Sequence, residues 1–200
     1  MELPEEVGIM VLPDLVFFPH NLAPLHIFEP RYREMLANAL ATNRMFALSQ
    51  ARTDSNKPEP MEIGGVGLIR ACVQNDDGTA NLILQGIARV RFVNFTQTDP
   101  YFIGIPVPLE SPCSAPTVEE ETLAAKIVEI ACLLPCSGGQ TRQDVAKFLN
   151  ELHDYNMLVD IVAGNFLRCP ERKQRILETE ERRQRLQLLA LCLHEQVCQD

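Results

Sequence analysis

The chain has 200 residues, of which 46% are apolar, and a formal net charge of −9 at neutral pH. This length suits one large or two small domains, and the apolar fraction is far from that of disordered chains. No apolar run reaches the roughly 18 residues of a transmembrane helix. Residues 1–112 carry 8 basic and 13 acidic side chains, and residues 113–200 carry 10 and 14. Neither half has the clustered Lys and Arg of a nonspecific nucleic-acid binder.

The start of the chain and its cysteines indicate the compartment. The first six residues include three glutamates, whereas a secretory signal needs a basic start and an apolar segment, so we expect a cytoplasmic protein. Seven scattered cysteines do not indicate a disulfide framework. Structural zinc usually takes two tight ligand pairs, which neither Cys132-x3-Cys136 nor Cys192-x-His194-x3-Cys198 supplies. We therefore predict no metal and no cofactor.

The first half of the chain predicts short strands and one early helix. Glu29-Pro30-Arg31 is typical of a helix start, because Pro is tolerated at the first helical position and Glu favours the positive helix end. Asn75-Asp76-Asp77-Gly78 predicts a tight turn, and Gly86 is expected to break a strand. We predict a helix over 30–41 and strands at 8–12, 22–27, 45–50, 63–73, 80–85, 88–95 and 101–109.

The second half predicts helices. Ser111–Pro116 is rich in Ser and Pro and indicates a linker. Thr117 with Glu120 forms a capping-box pattern, and Thr141 with Asp144 resembles one. Apolar residues at helical spacing then predict helices that begin near 117, 141, 157, 171 and 179. In the last helix, Glu181 and Arg185 have the i, i+4 spacing of an exposed ion pair.

Several motifs follow one another along the chain. They include Phe17-Phe18-Pro19, the helix start at 29–31, Gly65-Val66-Gly67-Leu68-Ile69, the run from Leu84 to Arg91, Asp160-Ile161-Val162-Ala163 and Lys173-Gln174-Arg175-Ile176-Leu177-Glu178. In this order they resemble the Lon protease amino-terminal (substrate-binding) domain over nearly the whole chain. By this resemblance we expect a stand-alone form of that domain, without the ATPase and peptidase domains.

The resemblance implies an α+β fold. We expect a PUA-like mixed β pseudo-barrel with one early helix over residues 1–112, followed by a C-terminal α-helical bundle over residues 113–200. In full-length Lon proteases this region helps to recognise unfolded or tagged substrates and to assemble the ring. The resemblance therefore implies a noncatalytic module of the ATP-dependent protease family that binds polypeptide or a protein partner.

Motifs for catalysis are missing from the sequence. A phosphate-binding loop ends in Gly-Lys-Ser/Thr, and none of the four lysines follows a glycine. No serine lies in a Gly-x-Ser-x-Gly elbow, and the Ser–Lys dyad of Lon proteases belongs to a separate domain. Ser137-Gly138-Gly139 is typical of a helix-ending loop. We predict that the chain is not an enzyme, since the alternative of an ATP-independent hydrolase lacks a nucleophile–base pair.

Four apolar residues are candidates for polypeptide binding. A peptide could add as a strand to the barrel edge, with side-chain pockets beside it. The candidates are Phe17, Phe18, Leu22 and Phe28. Because large apolar residues are mostly buried, each of them is also a candidate core residue.

Other kinds of partner stay open at this point. The PUA-like fold permits RNA binding, for which Arg70, Arg89 and Arg91 are candidates, although the acidic balance opposes it. It also permits a small ligand, for which the sequence offers no specific polar constellation. An apolar stripe on the last helix could mediate self-association, and we expect no membrane partner.

Overall fold

The computed structural model describes residues 2–52, 58–109, 114–134 and 141–199. The chain divides into two compact units, Met1–Leu109 and Glu110–Asp200. The linker residues 111–113, Cys136 and the 137–139 segment lie outside the described residues. None of the helices in the described ranges combines the length and the apolar character that a membrane span requires.

The first unit contains six strands and one helix among its described residues. The predicted order of strands and helix is confirmed, except that one strand continues through Gly86 instead of breaking there. The elements are β1 Val7–Leu12, β2 Leu22–Ile27, α1 Pro30–Ala41, β3 Met45–Gln50, β4 Ile63–Gln74, β5 Ala80–Gln97 and β6 Phe102–Pro108.

The long strand β5 closes the sheet into a barrel. One edge of β5 pairs with β4, and its other edge pairs first with β2 and then with β6. The sheet order is β2-β5-β4-β3-β1-β6, and the additional β5–β6 pairing closes a ring of five strands. The sheet is mixed because β1 and β3 are parallel. The predicted α+β pseudo-barrel is therefore confirmed, and β2 lies outside the closed ring as an edge strand.

Strands β1 and β3 are buried on both faces. Met10 and Phe46 belong to an apolar cluster that also contains residues of β2 and α1. Ile9 and Ala47 belong to a second cluster on the opposite face, with residues of β4 and β5. Since successive strand residues point to opposite faces, a strand between two clusters is apolar at nearly every position. This explains why β3 has no alternating hydrophobic pattern.

Helix α1 is fixed to the barrel through Tyr32. The buried Tyr32 hydroxyl donates to the Val11 carbonyl at 3.2 Å and accepts from the Val11 amide at 3.1 Å. Burial raises the pKa of this phenol above its ordinary value. The two hydrogen bonds satisfy the hydroxyl in an apolar setting and set the position of α1 over β1.

Phe17 and Phe18 lie in a segment that crosses the barrel at glycines. A Cβ on Gly65 would lie 2.2 Å from the Phe17 carbonyl oxygen, and a Cβ on Gly86 would lie 2.1 Å from that of Phe18. No side chain fits at these separations. Gly86 therefore allows a close approach of two backbone segments, whereas the sequence predicts a strand break there.

The second unit consists of five helices among its described residues. Both predicted capping boxes are present, at Thr117 with Glu120 and at Thr141 with Asp144. The last helix begins three residues later than predicted. The helices are α2 Val118–Ala131, α3 Arg142–Asn150, α4 Tyr155–Phe166, α5 Pro170–Glu178 and α6 Arg182–Gln199.

Two ion pairs with little solvent exposure connect the last helix to the rest of its unit. Arg185 on α6 is fully buried and binds Asp160 on α4 at 2.5 Å. Arg182, also on α6, binds Glu120 on α2 at 2.8 Å, and both side chains are nearly buried. Arg185 thus pairs across the bundle, and the predicted partner Glu181, which immediately precedes α6, does not form an ion pair with it.

The Glu120–Arg182 pair predicts that acid destabilises the bundle. The hydrogen bond from Arg182 lowers the pKa of Glu120 from 4.5 to about 2. Because the folded pKa is lowered, this carboxylate stabilises the fold fully above about pH 4.5, and the contribution is lost as pH falls toward about 2. We expect thermal unfolding midpoints of the wild type and Glu120→Gln to converge over this interval. A Glu129→Gln control, exposed on the same helix, should follow the wild type, and a constant gap between wild type and Glu120→Gln would contradict the assignment.

Candidate functional site

Strand β2 exposes one edge of its backbone. The Gly86 amide donates to the Asn21 carbonyl at 2.9 Å, so the backbone groups of Asn21 face β5. Successive residues of a strand present these groups to alternate edges. Leu22, Pro24 and His26 therefore present theirs to the outer edge, with which no strand in the described part of the chain pairs.

Pro24 is compatible with an open strand edge and also restricts which strands can pair with that edge. Its missing amide hydrogen would lie on the outer side, so the β2–β5 ladder loses no hydrogen bond. Proline on an edge strand also reduces indiscriminate strand pairing. Leu22 and His26 each keep an amide and a carbonyl on this edge, which is enough for a short added strand.

An exposed apolar face borders the open edge. Pro24 on β2 lies beside Ile83 on β5, which lies beside Ala71 on β4. The next row brings His26 and Asn81 beside Val73, whose side chain is 64% exposed. These residues line a shallow depression of about 410 Å³. We call the open edge with this depression the β2 surface.

Aromatic and polar contacts order the end of the β2 surface. The His26 ring lies 5.9 Å from the Phe28 ring in a stacked arrangement, and its Nδ1 lies 2.9 Å from Asn81 Oδ1. At the adjacent turn, Asp77 accepts from the amide and the hydroxyl of Thr79, and these bonds lower the pKa of Asp77. These contacts order the polar side chains at this end of the β2 surface.

The four candidate polypeptide-binding residues separate into two pairs. Phe17 and Phe18 are 3% and 0% exposed and belong to the protein interior, so they are not part of a binding surface. Leu22 and Phe28 are 63% and 61% exposed and lie at the two ends of β2. The reason is geometric: the glycines of β4 and β5 bring the 17–18 segment against the barrel.

The three candidate RNA-binding arginines do not form a patch. Arg89 is buried. Arg70 donates to Gln85, and Arg91 pairs with Glu62. Gln85 and Arg91 lie six positions apart in β5, which is roughly 20 Å along a strand. The structure therefore does not gather these arginines as an RNA surface would require.

The Cys192-x-His194-x3-Cys198 spacing lies on α6, whereas Cys136 of the other spacing is outside the described residues. Cys192 is buried, with a pKa raised by burial, and Cys198 lies 3.7 Å from His194 near the end of α6. Among the described residues no three His, Cys, Asp or Glu side chains are placed to hold a metal ion.

Sequence reasoning missed Ile83, Ala71 and Val73 as members of the β2 surface. Val73 lies at the end of an apolar strand, where the sequence does not distinguish an exposed side chain from a buried one. The register of three strands brings it beside His26 and Asn81. The available signal was Pro24 within an apolar strand, since proline there indicates an edge.

The family model for the ATP-dependent protease La (LON) substrate-binding domain matches residues 6–195. The chain belongs to the Lon substrate-binding domain family. The resemblance that the motifs indicate is therefore confirmed.

Two Lon proteases illustrate the extent of the similarity. Lon protease 2 of Bdellovibrio bacteriovorus is 28% identical over 194 residues, which cover 94% of this chain and 24% of that protein. The Lon protease of Desulfosudis oleivorans is 29% identical over 207 residues, with 98% and 24% covered. This Lon-family chain therefore spans about a quarter of the length of the curated relatives it matches.

Solved structures show the same fold. The N-terminal domain of a Mycobacterium avium complex Lon protease superposes with a TM-score of 0.74 at 16% identity, covering 95% of this chain and 98% of that one. A Lon N-terminal domain protein from Xanthomonas campestris gives a TM-score of 0.69 at 16% identity, with 93% and 97% covered. At this identity the likeness concerns the fold alone.

Proposed function

We propose that the chain is a noncatalytic, cytoplasmic recognition module that binds extended, apolar segments of polypeptide. The observation that carries the proposal is an open strand edge bordered by exposed apolar side chains, the β2 surface. Added strands gain affinity from main-chain hydrogen bonds and selectivity from pockets for alternate side chains. The substrate-binding family supports a polypeptide as the ligand.

The β2 surface has the parts that this binding mode needs. The edge offers the amide and carbonyl groups of Leu22 and His26. Pro24 lies between them and has no amide hydrogen, which restricts the registers in which an added strand can pair with β2. The apolar depression beside it can receive a side chain from the added segment. Leu22 and Phe28 can cover the ends of that segment, because both are more than half exposed.

Self-association through α6 has less support than polypeptide binding. Leu186, Leu189 and Leu193, which form the apolar stripe of this helix, are fully buried within their own unit. Leu191 is exposed but lies outside that stripe. The burial of these side chains favours a role of the stripe in the packing of the bundle.

The proposal predicts a large loss of binding when both ends of the β2 surface become polar. A labelled, permanently unfolded protein titrated with the chain should bind saturably, as measured by fluorescence anisotropy. The Leu22→Ser/Phe28→Ser variant should weaken binding at least about tenfold, since burying one such side chain contributes about 1.5–3 kcal/mol and tenfold is about 1.4 kcal/mol. The two residues are exposed, so folding should be unaffected.

Matched controls distinguish binding at the β2 surface from nonspecific binding to any exposed apolar side chain. Val118→Ser and Leu191→Ser also remove exposed apolar side chains, but they lie on α2 and α6 and should leave binding unchanged. The folded parent of that unfolded protein, carrying the same label, should not bind. Equal losses in all variants would contradict the assignment to β2, and fragments of the labelled protein on a gel would contradict the noncatalytic function.

A further inference from the structure

The helical unit contains a groove that the β2 surface does not involve. Its volume is about 340 Å³, within the lower range of ligand sites in proteins. The floor is apolar and is formed by residues of three helices, Ala124 and Val128 of α2, Leu149 of α3 and Leu158 of α4. All four floor residues are buried.

Small residues on α2 create the groove. Ala124 and Ala125 both line it, and neither side chain reaches beyond Cβ. The loop from α3 to α4 forms the opposite wall, with Leu152 and His153. The result is a narrow apolar slot with an open mouth, a shape that suits a slender aliphatic chain.

The mouth of the groove carries a carboxylate from the first turn of α2. Glu119 binds Arg183 and Glu120 binds Arg182. Glu121, the third glutamate of this run, lines the groove and has no ion-pair partner among the described residues. Its carboxylate is therefore available to a cation from outside.

Two further groups favour a cation at the same place. Burial raises the pKa of Tyr155, which lines the groove; the charges of Glu121 and Glu120 raise it further, and the charge of Arg182 lowers it. An aromatic ring can contribute to the binding of a cation through its face. Asn150 donates its side-chain amide to the Ala146 carbonyl at 2.8 Å, so its amide oxygen is left as an acceptor at the rim.

We propose that this groove is a binding site for a lysine side chain of a polypeptide partner. The aliphatic stem would lie on the apolar floor, and the ammonium would reach the Glu121 carboxylate at the mouth. Lysine combines a slender four-carbon stem with a compact charge, whereas the wide, planar guanidinium of arginine suits a bidentate site. The inference does not rest on the β2 surface, because the two sites share no residue.

The test is a titration of the full chain with blocked amino acids, followed by amide NMR. Nα-acetyl-lysine N-methylamide should give saturable shifts confined to residues 116–128 and 149–158. The norleucine analogue, which lacks the ammonium, should bind about three- to fivefold more weakly, the range of a partly exposed ion pair. The blocked arginine analogue should also bind more weakly than lysine.

Two substitutions and a control make the test specific. Glu121→Gln should remove the preference for lysine over norleucine, whereas Glu129→Gln, exposed on the same helix outside the groove, should keep it. Ala125→Leu should fill the groove from an exposed position and abolish the shifts. Equal binding of lysine and norleucine by the wild type, no saturable shifts, or shifts elsewhere would each overturn the proposal. These outcomes leave the binding of unfolded polypeptide at β2 unaffected.

Discussion

Replacing Asp160 by alanine is expected to destabilise the helical unit by about 3–5 kcal/mol, because it leaves a buried guanidinium without its counterion. Arg185 is fully buried, binds Asp160 at 2.5 Å and donates through Nε to the Ile176 carbonyl at 3.3 Å. Its Nη1 already has no hydrogen-bond partner among the described residues. Without Asp160, the buried Arg185 guanidinium would therefore keep its charge in an apolar interior with no counterion.

Urea unfolding followed by the amide NMR signals of α4 and α6 measures this loss. The double variant Asp160→Leu/Arg185→Met should regain most of the stability, since replacing both partners of a buried pair by apolar residues is often neutral or stabilising. Arg183→Ala, which removes an exposed pair with Glu119, should cost no more than about 1 kcal/mol. If Asp160→Ala lowered the free energy of unfolding no more than Arg183→Ala, the Asp160–Arg185 pair would not be what stabilises the packing of α6.

Gly86→Ala is expected to destabilise the barrel by about 1–3 kcal/mol, the typical cost of overpacking. The added Cβ would lie 2.1 Å from the Phe18 carbonyl oxygen, and a real Cβ does not approach a neighbouring atom within 3.0 Å. The obstacle is backbone, so a change of rotamer does not relieve it. Phe18 is fully buried, and displacing it would disturb the core.

Gly104→Ala is the matched control for Gly86→Ala. Both glycines lie within strands, but a Cβ on Gly104 would come no closer than 3.1 Å to the flexible end of Ile9. Its destabilisation should be clearly smaller when urea unfolding is followed by the amide signals of β3 and β5. Equal effects of the two substitutions would show that loss of glycine in a strand, and not the approach of Phe18, determines the cost.

The sequence predicts the elements well because their signals are local. Capping boxes depend on residues three positions apart, and both predicted boxes are present. The turn at residues 75–78 likewise lies between β4 and β5, where its own residues place it. Interactions across the fold override such local patterns in other places. The i, i+4 spacing predicts Glu181 as the ion-pair partner of Arg185, yet burial against α4 brings Arg185 to Asp160.

The candidate site could be predicted only in part. The sequence identifies the apolar segment at 17–28, but exposure depends on which strands cover each residue. Glycines in β4 and β5 allow Phe17 and Phe18 to pack inward, whereas Leu22 and Phe28 stay exposed at the ends of an edge strand. Val73 becomes part of the same surface only through the register of β2, β5 and β4.

The most direct test of polypeptide binding at β2 is amide hydrogen exchange of the free and the saturated chain. Strand addition would hydrogen-bond the amides of Leu22 and His26, which face the open edge. Binding of the unfolded protein should therefore slow exchange at these two residues, while amides of α6 keep their rates. Saturated binding with unchanged exchange at Leu22 and His26 would contradict recognition by strand addition.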